Sequence, residues 1–116
     1  MTRQTLSVRS LVVAVLLAAC VSERPEATGP VDTSGEQVAI RSFSFEPPEL
    51  IVRVGEAVVW TNRDDVVHTV TADDRSFDSP VLSSGEVFRL TPDRAGDFPY
   101  ACTIHPFMRG MLRVTP

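Results

Sequence analysis

The chain has 116 residues, enough for one domain, with 43% hydrophobic residues to pack a core and an ordinary 22% charged. Its formal charge is −4, and all eleven basic residues are arginine. An acidic balance speaks against nucleic-acid binding, which needs a basic face.

Residues 1–19 read as a secretory signal peptide. Arg3 and Arg9 form a basic start, "LVVAVLLA" is a short apolar run, and small residues precede Cys20. The run is shorter than the roughly 20 residues that a membrane span needs. Leu17-Ala18-Ala19-Cys20 resembles the bacterial lipobox, which implies cleavage before Cys20 and a diacylglycerol anchor on its sulfur. An ordinary signal with an incidental cysteine is the alternative. There is no twin-arginine pair, so the general secretory route is expected. Removal of the signal takes two arginines with it and moves the formal charge from −4 to −6. Acylation would also leave Cys102 as a lone cysteine in an exported protein. A lone thiol in an oxidising compartment is a liability unless something, such as a metal, protects it.

Residues 20–37 then form a lipidated cysteine followed by a disordered tether. "VSERPEATGPVDTSGEQ" has almost no apolar content to offset its ordering entropy. As a flexible coil it would span on the order of 20–25 Å. From Val38 the period is two rather than 3.6. Phe43 and Phe45 alternate, as do Leu50, Val52 and Val54. "AVVWTN", "VVHTVTA" and "EVFRLT" read as strands, and the second places His68 in mid-strand. "DFPYAC" puts Phe98, Tyr100 and Cys102 on one face; "GMLRVT" does the same for Leu112 and Val114. Pro99 in a strand implies an edge or a bulge. Turn signals at Pro47-Pro48, Gly55, Asp73-Asp74, Gly85 and Pro92 to Gly96 separate the runs. Seven to eight short strands and no amphipathic helix predict an all-β Greek-key sandwich over residues 38–116.

Chemistry concentrates in "YACTIHPFMRG". Cys102, His105 and Met108 are spaced three apart, and His68 is the only other histidine. A thiolate, two imidazoles and a thioether match the trigonal His₂Cys plane and weak axial Met of a blue-copper centre. Each residue alone has a plainer explanation: a buried Cys as a small hydrophobe, Met108 as core filler, His68 as a satisfied polar group. Zinc is a rival metal, although Met is a poor fourth ligand for it. A Cys102–His105 nucleophile is a rival chemistry, without an oxyanion-hole motif to support it.

"CTIHPFMRGML" resembles the copper loop of the cupredoxins, most of all that of the amicyanin type. Upstream, Pro48, Leu50, Val54-Gly55-Glu56, Trp60, Asn62, Asp65, His68-Thr69-Val70, Phe77-Asp78 and Gly85 resemble the plastocyanin, pseudoazurin and amicyanin pattern. The resemblance implies a lipid-anchored, extracytoplasmic, monomeric carrier of one electron, not an enzyme, with a single type 1 copper. It implies His68, Cys102, His105 and Met108 as metal ligands, and Thr69 and Asn62 as residues that brace them. It also implies a partly exposed His105 ringed by apolar Pro106 and Phe107, with Pro47 or Pro48 nearby, where redox partners dock: a cytochrome, oxidase, reductase or dehydrogenase. Copper binding and delivery on the same fold is the alternative use. Val67, Pro80 and Arg75 depart from the pattern; relatives commonly carry Pro, Gly and a turn Gly there.

Overall fold

The computed structural model describes residues 30–116. The expected signal peptide, Cys20 and most of the tether lie outside the described residues. The first strand begins at Glu36, two residues before the expected domain boundary.

The described residues contain eight strands and no helix: β1 (Glu36–Arg41), β2 (Ser44–Glu46), β3 (Glu49–Arg53), β4 (Val58–Asn62), β5 (Thr71–Ala72), β6 (Val87–Leu90), β7 (Gly96–Ala101) and β8 (Arg109–Thr115). They form two four-stranded sheets, ordered β2-β1-β4-β6 and β3-β8-β7-β5. Both are mixed, because β1 runs parallel to β4 and β3 parallel to β8. This is the all-β sandwich that the period-two pattern predicts.

Alternation fills the space between the sheets. Val38, Ile40, Val58 and Trp60 point inward from one sheet, and Val52, Phe98, Tyr100, Leu112 and Val114 from the other. Trp60 and Tyr100 meet edge to face with centroids 5.6 Å apart, and Phe45 packs on Tyr100 at 4.7 Å. Aromatic pairs in this geometry contribute roughly 0.5–1.5 kcal/mol beyond their buried area. Tyr100 also fills the space beside Gly110, its partner across the β7–β8 ladder. A Cβ on Gly110 would lie 2.5 Å from the Tyr100 hydroxyl oxygen and closer still to its ring.

Pro99 sits where its missing N–H does no harm. Its carbonyl accepts from Asp73 N–H just where the two-residue β5 ends, so little ladder is lost on that side. Two expectations are corrected. Phe43 does not alternate with Phe45 on a strand: Ser42 and Phe43 form a turn with φ of 51° and 57°, and Phe43 is exposed while Phe45 is buried. "VVHTVTA" is not one strand either. Only Thr71 and Ala72 join a sheet, and His68 makes an isolated bridge to Leu82. Val66 and Val67, whose β-branched side chains suggest a strand, face solvent.

Candidate metal centre

Two pieces of chain build the site at one end of the sandwich. The first is the loop after β7. Cys102 leaves the strand on the inward face it shares with Tyr100 and is fully buried. Cys102 N–H donates to the Met108 carbonyl (3.1 Å) and Met108 N–H to the His105 carbonyl (2.9 Å). These bonds close residues 102–108 into a compact loop that leads directly into β8. Met108 is 1% exposed, His105 is half-buried, and Pro106 and Phe107 face outward, Phe107 at 72% exposure.

The second piece is residues 62–70, which carry His68. Beyond Asn62 no strand ladder holds this segment, so side chains and one isolated bridge do. Asn62, buried at the end of β4, donates through Nδ2 to the Val66 carbonyl (2.8 Å) and the Leu82 carbonyl (2.9 Å). Its Oδ1 accepts from Asp64 N–H (2.9 Å). His68 and Leu82 exchange backbone hydrogen bonds of 3.1 and 2.8 Å. The buried imidazole is therefore fixed without a strand.

Thr69 joins the two pieces. Its N–H donates to Cys102 Sγ (3.3 Å), and its Oγ1 accepts from Thr103 N–H (2.8 Å) and lies 2.9 Å from the Thr103 hydroxyl. The first contact stabilises a thiolate, and the others hold the base of the 102–108 loop against the His68 segment. Asn62 thus holds the backbone of the His68 segment, and Thr69 contacts the sulfur.

Asp64 lacked any role in the sequence reading, yet it touches the site. Its Oδ2 lies 2.8 Å from His68 Nε2. Ser42 N–H donates to Oδ1 (2.6 Å) and Phe43 N–H to Oδ2 (3.0 Å). Partial burial pushes this carboxyl up. The hydrogen bonds from Phe43, His68 and Ser42 together outweigh it and hold the carboxyl below its ordinary value. The run "NRDD" after a strand was the available signal, since Asn and Asp side chains fasten turns. Phe43 was missed for a related reason. Left-handed backbone costs a non-glycine residue roughly 1–2 kcal/mol, and nothing local in "RSFSF" calls for it. Its ring stands edge-on to His68 and His105, with centroids 5.5 and 5.1 Å away, and tilts against Phe107 at 6.3 Å. Phe43 is the aromatic that packs on both imidazoles.

Three donor atoms converge. Cys102 Sγ is 3.8 Å from His68 Nδ1 and 3.8 Å from His105 Nδ1, and the two nitrogens are 3.2 Å apart. A carboxylate only accepts hydrogen bonds, so His68 carries its proton on Nε2 toward Asp64 and keeps a lone pair on Nδ1. Lone pairs and a sulfur facing one another at this range suit a cation between them. The point equidistant from all three lies about 2.1 Å from each, within the roughly 2.0–2.3 Å of first-row metal bonds to imidazole and thiolate. The residues therefore fit a metal, and the thiolate, two imidazoles and buried Met of the same loop fit type 1 copper.

Known proteins agree with this geometry. Over 98 residues the chain is 36% identical to amicyanin from Paracoccus denitrificans, covering 80% of this chain and 75% of that one. It is 30% identical over 117 residues to amicyanin-alpha from Methylorubrum extorquens, covering 91% and 98%. A reduced-state proline-to-phenylalanine mutant of amicyanin superposes with a TM-score of 0.68 at 36% identity, covering 82% of this chain and 95% of that chain. The sequence profile of the cupredoxin-like domain matches residues 10–114, and the chain belongs to the cupredoxin-like family.

Proposed function

We propose that the protein is an extracytoplasmic blue-copper carrier that passes one electron at a time between redox partner proteins. The observation that carries this reading is the convergence of His68 Nδ1, Cys102 Sγ and His105 Nδ1 on one point. Bound copper supplies the Cu(II)/Cu(I) couple, which soft sulfur donors bias toward the reduced ion. His68, Cys102 and His105 would hold it, and the Met108 thioether would be a weaker fourth donor. The chain contributes rigidity. Thr69 N–H already points at the sulfur, and the 102–108 loop is closed by its own backbone. Donors held in place need not reorganise when the charge changes.

His105 is the route outward. Cys102, His68 and Met108 are buried, whereas His105 reaches a face carrying Phe43, Ile104, Pro106 and Phe107. A small apolar face with an imidazole edge suits the weak, transient docking of redox partners. Copper delivery, the other use of this ligand set, calls for donors that let go; three buried donors, two of them in a closed loop, favour retention. Anchoring through lipidated Cys20, in a monomer tethered outside the cytoplasm, completes the proposal.

The test is the optical spectrum of the Cu(II)-loaded protein with a voltammogram. An intense blue thiolate-to-metal band and a reversible one-electron wave are expected, and a colourless protein with stoichiometric copper overturns the reading. Met108→Gln should retain copper and lower the potential, because an oxygen donor stabilises Cu(II) better than a thioether. A lowered melting temperature with an unaltered potential would make Met108 a packing residue only.

A further inference from the structure

We propose that Asp64 is a positioning residue that couples the metal-facing imidazole of His68 to the aromatic face where partners dock. The inference rests on the reading of His68 as a copper ligand. One carboxylate serves two places at once. Oδ2 takes the His68 Nε2 proton at 2.8 Å, which turns the lone pair of Nδ1 toward Cys102 and His105. The same oxygen takes Phe43 N–H and Oδ1 takes Ser42 N–H, which holds both residues in the left-handed turn that stands Phe43 edge-on to the two imidazoles. Asn62 Oδ1 holds Asp64 itself through its backbone N–H.

The chemistry of the contacts singles out a carboxylate. All three partners of the Asp64 oxygens are donors, so an acceptor is needed on both sides. An amide has one acceptor and one donor end. The amide of an Asp64→Asn variant would therefore turn its NH₂ either toward Ser42 N–H, which loosens the turn, or into the place of Oδ2, where Phe43 N–H and the imidazole both lose their acceptor. Asp64 is also largely buried, with 13% of its side chain exposed, so its charge is weakly screened. A negative charge hydrogen-bonded to a ligand imidazole favours the more highly charged ion. Its loss should raise the reduction potential. Asp65, one residue along and exposed, makes no such contact and serves as the control.

The experiment has a metal-free arm and a copper arm, both on the full chain. In apo wild type, ¹⁵N NMR should find the His68 proton on Nε2 and slow to exchange, and the His105 ring protons shifted by the Phe43 ring. A proton on Nδ1, or rapid exchange at Nε2, overturns the proposal without any variant. Asp64→Asn should speed that exchange or lose the ring-current shift, as Phe43→Leu loses it. In the copper arm, Asp64→Asn should lower copper affinity by about 10–100-fold in competition with a chelator, and raise the potential above that of Asp65→Asn. Equal potentials for the two variants, with affinity unchanged, would reduce Asp64 to a surface charge and overturn the coupling. Failure of the copper reading is separable, because it shows as a wild type without blue colour.

Discussion

The two halves of the metal centre are held by different means. The 102–108 loop brings Cys102, His105 and Met108 together within seven residues, and two backbone hydrogen bonds between them close it. The 62–70 segment delivers a single ligand, His68, and relies on side chains of Asn62, Asp64 and Thr69 to do so. One half is a local motif, and the other exists only after the sheets have packed. Substitutions in the first should therefore abolish the site's chemistry or the loop's footing, whereas those in the second should loosen it by degrees.

The largest effect is expected at the thiolate. Cys102→Ser should remove the blue band entirely while the domain still folds, because serine is close in size and the buried site keeps its Thr69 N–H donor. A variant that stays blue would place the sulfur ligand elsewhere. The next largest is Gly110→Ala, which tests the loop's footing on β8. The added methyl would enter the space of the Tyr100 ring, and neither the β7 nor the β8 backbone can move away within the ladder. Overpacking of this kind should cost about 3 kcal/mol, seen as a fall in melting temperature. Tyr100→Leu combined with Gly110→Ala should cost less than the two singly added, since the smaller side chain vacates the space. Strict additivity would show that the glycine is not required for the aromatic.

In the side-chain-held half, Asn62→Ala removes two donors and one acceptor from a buried site. The Leu82 carbonyl keeps a partner in His68 N–H, so the expected loss is about 2–3 kcal/mol rather than more. Copper affinity should fall by about 10–100-fold, because His68 loses its brace, while the blue band persists. Chelator competition beside a thermal melt checks both. An intact affinity would show that the Leu82 backbone, Asp64 and Thr69 fix His68 without Asn62.

This division explains what the sequence made legible. Alternation placed Phe98, Tyr100, Cys102, Leu112 and Val114 on the inward face, and all five are buried. The Cys-x-x-His-x-x-Met spacing located most of the site, because donors that close in sequence must be close in space. Residues 62–70 resisted the same reading. Val66 and Val67 carry strand propensity, but the hydrogen bonds of Asn62 and Asp64 bend the backbone out of the sheet, and tertiary context overrides propensity. Phe43 resisted it too: its partner in the turn, Asp64, lies 21 residues away. Period two then puts it on the same face as Phe45, when a left-handed turn sends it over the imidazoles.

The smallest effect belongs to Arg75, where the sequence departs from a common turn glycine. The turn persists without the glycine: Arg75 N–H donates to the Ala72 carbonyl at 3.0 Å, with φ at 63°. An arginine in this region is strained by about 1 kcal/mol relative to glycine. Opposing that, the exposed guanidinium lies 3.5 Å from Asp78, a pair worth roughly 0–1 kcal/mol. Arg75→Gly relieves the strain and loses the pair, so its net effect should be a gain of at most about 1 kcal/mol. Arg75→Ala loses the pair and keeps the strain. The difference between the two variants therefore isolates the backbone, and the glycine variant should melt higher. Equal melting temperatures would mean that the turn between β5 and the Phe77–Asp78 segment stores no strain, and that tertiary contacts set its shape as they set that of residues 62–70.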